Sequence, residues 1–203
     1  DLRRIVRAGG GIDNIDAAYA QMIGIEVRNT PNASSDSVAE LVLGHMFSLA
    51  RFISIANVTM RDGKWNKKEY EGVELAGKTL GIIGFGRIGR SLAEKASALG
   101  MDVMFHDICV KNDEKFEYAE FDALIKNADF ISVHTPFTGE ALIGEEQFRK
   151  MKEGVFIINA ARGNVIDEKA LVDALNTDRV RGAGIDVFEK EPAVNLELVR
   201  HPK

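Results

Sequence analysis

Gly84-Phe85-Gly86-Arg87-Ile88-Gly89 is a glycine turn set between an apolar run at 79–83 and a helical pattern at 88–99. At such a junction the first glycine makes the tight turn. The second lets a pyrophosphate approach the backbone, and the third packs helix on strand. The N–H groups of Arg87 and Ile88 would then face phosphate charge, helped by the helix dipole. Asp107 ends the next apolar run, 18 residues after Gly89. A carboxylate there can accept from both hydroxyls of an adenosine ribose and repels a 2′-phosphate. The pattern therefore implies NAD as cofactor in preference to NADP. The lysine and hydroxyl residue of the other common phosphate-binding turn are absent.

The elements that must position this turn are legible as alternation. Apolar runs at 79–83, 102–106, 130–134, 155–159 and 179–185 are interleaved with helical patterns at 88–99, 122–127, 145–151 and 168–175. Strands rich in Ile, Val and Phe without polar alternation are buried on both faces, and helices between them supply right-handed crossovers. The expected fold class is α/β, a doubly wound parallel sheet of Rossmann-like, NAD-binding type. Upstream, 4–8 and 25–29 read as strands and 17–22 as a short helix. Residues 37–61 read as one long helix, with Ser34, Ser35 and Asp36 as its caps. It is apolar on more than one face, so it should pack twice, against its own domain and against a second subunit. Trp65, just beyond it, is an expected interface anchor.

Composition sets bounds. At 203 residues, with 45% hydrophobic and 28% charged residues, the chain is that of an ordinary globular protein. A net charge of −5 argues against a nucleic-acid surface and for a small-molecule partner. Cys109 is the only cysteine, which excludes an internal disulfide. No stretch reads as a signal peptide or membrane span, so the expected location is cytoplasmic and no membrane partner is expected. No metal site is expected either.

Further motifs carry a resemblance. Asn159-Ala160-Ala161-Arg162-Gly163-Asn164-Val165-Ile166-Asp167-Glu168 and Gly184-Ile185-Asp186-Val187-Phe188-Glu189-Lys190-Glu191-Pro192 resemble the two signature segments of the D-isomer-specific 2-hydroxyacid dehydrogenases. Arg7-Ala8-Gly9-Gly10-Gly11-Ile12-Asp13-Asn14, Asn29-Thr30-Pro31-Asn32 with Val38-Ala39-Glu40-Leu41, and His134-Thr135-Pro136 match in the same order. The resemblance is nearest to the branch that oxidises a phosphorylated hydroxy acid. It implies an NAD-dependent oxidoreductase acting on a small 2-hydroxy acid, working as a homodimer or higher homo-oligomer. Residues 1–28 would be a remnant of the substrate domain and 29–203 the NAD-binding domain with its dimerisation helix.

Residue by residue, the resemblance implies that Arg162 holds the substrate carboxylate and polarises its carbonyl, a task suited to a guanidinium. Glu191 would raise the pKa of a catalytic histidine by stabilising its imidazolium. Asp186 would lie near the nicotinamide carboxamide, and Thr135, Pro136, Ala160 and Ala161 would line the cofactor pocket along with Arg162. The Gly9 to Gly11 loop would offer amides to substrate, with Gly10 also near the cofactor. Lys67 and Lys68 resemble a basic spot that reaches a substrate phosphate in a neighbouring subunit. The catalytic histidine is expected beyond Lys203, leaving the chain as a domain fragment with little activity. His201 precedes its proline and is not that residue. His45 and His106 read as packing or surface residues, His134 as structural or cofactor-adjacent, Glu189 as a solvated neighbour of Glu191, and Cys109 as a bystander. Two other functions fit parts of the pattern: an NAD(H)-sensing transcriptional corepressor, and another family enzyme such as a glyoxylate or hydroxypyruvate reductase.

Overall fold

The computed structural model describes residues 2–203. It opens with strand β1 (Arg4–Arg7), helix α1 (Ala17–Met22) and strand β2 (Glu26–Asn29). Asp16 caps α1, its carboxylate accepting from the Tyr19 N–H at 2.8 Å. β1 and β2 pair in parallel, Arg4 opposite Glu26, and form a sheet of their own.

Helices α2 (Ser35–Arg51) and α3 (Ile53–Arg61) follow, then β3 (Thr79–Ile83), α4 (Arg87–Ala98), β4 (Asp102–His106) and β5 (Glu117–Tyr118). The chain continues through α5 (Phe121–Asn127), β6 (Phe130–Val133), α6 (Glu145–Lys150) and β7 (Val155–Asn159). It finishes with α7 (Glu168–Asn176), β8 (Val180–Ile185) and α8 (Leu196–Val199). The larger sheet is parallel throughout, in the order β5-β4-β3-β6-β7-β8. From β3 the chain winds outward to β4 and β5, then crosses back to β6 on the other side. That reversal opens a crevice at the carboxyl ends of β3 and β6, where open α/β sheets bind ligands.

Period-2 alternation feeds two cores. Along β7, Val155 and Ile157 face the layer of α5, α6 and α7, while Phe156 and Ile158 face the layer of α2 and α4. β3 divides likewise, Leu80 and Ile82 meeting Phe85, Leu92 and Phe105 on one side while Ile83 meets Leu124 and Ile131 on the other. Gly81 lets α5 close on the sheet, since a Cβ there would lie 2.6 Å from Leu124.

The single helix expected at 37–61 is two helices, bent by 62°. Phe52 sits between them in the left-handed region, at φ 57°. In a continuous helix the Ala50 carbonyl would accept from residue 54. Instead the Val73 N–H takes it at 2.9 Å, and the Phe52 ring stacks on Tyr70 at 5.4 Å between centroids. The returning segment at 70–73 thus ends α2. Of the expected caps Ser34 does occupy the N-cap, though without a side-chain bond, while Asp36 accepts from Ser91 at 2.5 Å and Lys95 at 2.9 Å, tying α2 to α4. Among the described residues no single helix is long and apolar enough to cross a membrane.

Candidate active site and cofactor cavity

β3 ends at Ile83, and Gly84 turns the chain at φ +96°. A Cβ on Gly84 would stand 2.7 Å from the His134 carbonyl oxygen, and one on Gly89 would overlap the Gly84 carbonyl. Gly86, by contrast, faces open space at the N-cap of α4, whose first turn has no side-chain cap. The three glycines therefore do what their spacing requires: turn, open approach and close packing. The N–H groups of Arg87 and Ile88 lie in that first turn, at the positive end of the helix.

Asp107 stands just past β4. Its Oδ2 accepts from the Phe85 N–H at 2.7 Å, and its Oδ1 accepts from Cys109 and Val110 at 2.8 and 3.0 Å. Burial alone would raise this carboxyl's pKa, but the three N–H donors from Cys109, Phe85 and Val110 outweigh it and hold the group below its ordinary value. Asp107 is therefore an ionised group that also fixes the glycine turn, a second task the spacing did not reveal.

Between β3, β4 and β6 lies a cavity of about 550 Å³, walled by Gly84, Gly86, Asp107, Cys109, Thr135 and Pro136 among others. His134 Nδ1 and Thr135 Oγ1 are buried without partners, and His134 and Thr135 both line this space. Orphaned polar atoms beside an open, largely apolar slot suit a ligand that brings its own donors and acceptors. An acid, a bare helix N-terminus and a glycine with room above it complete the fit to a dinucleotide. Cys109, expected to be uninvolved, is part of the wall.

Burial lowers the His134 pKa from 6.5 to about 4. Its Nε2 lies 2.8 Å from Ser132 Oγ. Because the folded value lies below the unfolded one, the unfolded chain takes up the proton first. Stability is therefore expected to fall as pH drops from 6.5 toward 4, by up to roughly 3 kcal/mol from this group. Urea unfolding at pH 7 and pH 5, with and without His134→Asn, measures it; identical acid sensitivity in both proteins would refute it.

The second cavity adjoins the first along Pro136, Phe137 and Thr138 and measures about 620 Å³. Arg162 and Glu191 both line it, together with Arg7, Gly11 and Asp13. Arg162 follows β7 on a turn held by buried Asn159. The Asn159 amide accepts from the Ala161 N–H at 3.1 Å and donates to the Arg162 carbonyl at 2.9 Å. Glu191 arrives on the loop after β8. Gly163 lets that loop lie directly on the Arg162 turn, since a Cβ would overlap the Phe188 carbonyl. The loop is also buttoned to α7. Glu168 accepts from the Glu189 N–H at 2.8 Å, and Glu189 accepts from the Glu168 N–H at 3.2 Å. Glu189 is therefore a structural partner of α7, not only the solvated residue expected. Glu191 itself accepts from the Phe188 N–H at 3.2 Å.

The guanidinium of Arg162 spans the seam between the two sheets. Its Nη2 pairs with Asp13 Oδ2 at 2.6 Å and its Nη1 donates to the Ala161 carbonyl at 2.6 Å. This hydrogen bond to Arg162 is the main reason the Asp13 carboxyl lies below the usual carboxylate range.

Several expected residues are placed differently. Within the glycine loop it is Gly11 that lines the Arg162 cavity, while the Gly9 N–H donates to Thr30 Oγ1 at 2.8 Å. The Gly10 carbonyl accepts from the Asn29 amide at 2.7 Å. Ala160 packs on the core and Asp186 donates its N–H to the Asn159 carbonyl at 3.0 Å; neither borders the two cavities. His106 bonds the Ala119 carbonyl, His45 packs against Gly184, and His201 faces Asn176. Arg7 and Asp13 were visible only as letters of the loop motif, with no pattern that assigned them a place in the site.

Fold and site define a class first: a doubly wound dinucleotide-binding unit that brings a guanidinium and a carboxylate beside its cofactor crevice, as oxidoreductases do. Residues 43–203 match the family described as D-isomer specific 2-hydroxyacid dehydrogenase, NAD binding domain, and the chain belongs to that family. It is 49% identical over 195 residues to a hydroxypyruvate reductase from Thermotoga maritima, covering 95% of this chain and 64% of that protein. It is 44% identical over 205 residues to D-3-phosphoglycerate dehydrogenase from Methanocaldococcus jannaschii, covering 98% and 39%. A solved D-lactate dehydrogenase from Aquifex aeolicus, complexed with NAD and lactic acid, superposes with a TM-score of 0.84 at 36% identity, covering 100% of this chain and 62% of that one. The chain spans 39–64% of the length of the two curated relatives. These relatives are dehydrogenases and reductases, and they lend no support to the corepressor alternative.

Proposed function

We propose that the protein to which this chain belongs oxidises 3-phosphoglycerate with NAD, the first oxidation on the route to serine. The observation that carries this reading is the pair of guanidiniums in one cavity: Arg7 and Arg162 line the same space. A substrate with a carboxylate at one end and a phosphate at the other meets one cation with each. Arg162 holds the carboxylate and polarises the C2 oxygen, and Gly11, whose N–H has no internal partner among the described residues, lines the same cavity. NAD, held in the cavity beside Gly84, Gly86 and Asp107, would supply the hydride acceptor. Glu191 is the acid that would stabilise a protonated histidine beside the substrate; among the described residues no histidine lines this cavity. The N–H groups of Arg87 and Ile88 with Gly84, Gly86 and Gly89 cradle the pyrophosphate, and Asp107 selects the unphosphorylated ribose.

A second reading, reduction of hydroxypyruvate or glyoxylate, is favoured by the identity to the Thermotoga enzyme. Arg7 separates the two. In the full-length protein, Arg7→Ala is expected to lower kcat/KM for 3-phosphoglycerate about 10- to 100-fold, the worth of a charge-assisted contact. Hydroxypyruvate turnover should change less than about threefold. Equal effects on both substrates, or no turnover of 3-phosphoglycerate at all, would give the reductase reading the field.

We further read α2 and α3 as the docking surface for a second copy. Phe47, Ile53, Ile55, Val58 and Met60 are exposed along them, and Trp65 beyond α3 is 76% exposed. Sedimentation should show twice the 22.3 kDa chain mass; a strict monomer at high concentration counts against it.

A further inference from the structure

We propose that Asp13 is a positioning residue for Arg162. With the Ala161 carbonyl it fixes the plane of the guanidinium across the seam between the two sheets, so that the remaining N–H groups face the cavity. The proposal rests on the reading of Arg162 as the group that holds the substrate carboxylate.

Two acceptors define the guanidinium's orientation, one on each terminal nitrogen: Asp13 Oδ2 on Nη2 and the Ala161 carbonyl on Nη1, both at 2.6 Å. Among the described residues Nε has no partner, and each terminal nitrogen keeps a second N–H. The chain around the pair is shaped to it. A Cβ on Gly11 would fall 2.5 Å from Nη2 and 2.9 Å from Asp13 Oδ2, so the glycine leaves room for the contact. Arg7 steadies the same loop from the other side, its Nε donating to the Gly11 carbonyl at 3.0 Å. Asp13 and Arg162 lie 149 residues apart, one after β1 and the other after β7.

Stability alone does not account for this arrangement. The Asp13 side chain is 71% exposed and that of Arg162 43%, and ion pairs so open to water add little to folding. What the pair does supply is order. A long arginine side chain loses rotamer freedom when it clamps a ligand, and a guanidinium already fixed does not lose it again. Because one N–H goes to Asp13 and one to the Ala161 carbonyl, the other three stay available to a carboxylate arriving from the cavity.

The test uses the full-length enzyme. Asp13→Ala should raise KM for the acid substrate roughly three- to tenfold, the worth of one ordered side chain. The inhibition constant of oxalate, a bare dicarboxylate, should rise in parallel. kcat, NADH affinity and the melting temperature should stay near wild type. Asp13→Asn, whose amide oxygen can accept the same Nη2 N–H, should recover most of the loss. Unchanged KM and oxalate inhibition in Asp13→Ala would overturn the proposal. So would a fall in KM, which would make Asp13 a competitor of substrate, or a joint loss of NADH affinity and melting temperature, which would make it merely structural. Arg162→Ala separates the two levels. If it abolishes turnover while Asp13→Ala is silent, only the positioning role fails; if it leaves KM intact, the reading of Arg162 itself fails.

Discussion

Gly163→Ala is expected to lower kcat/KM of the full-length enzyme about a hundredfold while leaving NADH affinity within about threefold, since misplacing a reacting group by on the order of 1 Å can cost that much. The alanine methyl would overlap the Phe188 carbonyl and the Glu189 nitrogen, which are backbone atoms with no rotamer to escape into. The loop after β8 must lift, and Glu191 travels with it. The cofactor turn lines the other cavity and does not share these contacts. Steady-state kinetics beside a fluorescence titration of NADH measures the split. Wild-type kcat/KM in a folded Gly163→Ala protein would show that the two loops need not touch for Arg162 and Glu191 to work together.

Gly84→Ala should act on the other half of the site, weakening NADH binding at least tenfold, or about 1.4 kcal/mol. A φ of +96° costs an L residue roughly 1–3 kcal/mol before any contact is considered. The methyl also meets the His134 carbonyl at 2.7 Å, while the Gly84 N–H is held by the His106 carbonyl at 2.9 Å. Moving away from β6 drives the turn against the end of β4, which that bond already holds close. The 203-residue chain should lose roughly 4–10 °C in melting temperature as well. Calorimetric NADH titration and a thermal melt test both parts; undiminished affinity would mean that the turn tolerates a side chain and that its glycine is incidental.

Much of the sheet was legible because each strand carries its own signal. β3, β4 and β7 span the apolar runs read from the sequence, and β3 and β7 are buried at nearly every position, which calls for Ile, Val, Leu or Phe on both faces. The glycine turn was legible for a related reason: three local backbone requirements fall within six residues. The break at Phe52 was not, because nothing in the helix announces it. There is no Gly, Pro or Asn at 52, and the cause is the Val73 N–H, brought back by the fold. β5 is two residues long, below what any pattern can mark. Arg162 and Glu191 were reached through resemblance, and spacing alone would not have paired them. Asp13 and Arg7 were harder still, since their partners lie in a different sheet or only in the folded loop.

The three hydrogen bonds at Asp107 bear on how cofactor preference could drift. On our reading this carboxylate selects the unphosphorylated ribose, and the same oxygens hold Phe85, Cys109 and Val110 in place. A neutral or basic residue admitted there to welcome a 2′-phosphate would release the turn that positions the pyrophosphate. Selectivity and local rigidity are thus mutationally entangled. A lineage moving toward NADP would have to acquire a replacement anchor for the Phe85 amide before, or together with, the loss of the acid.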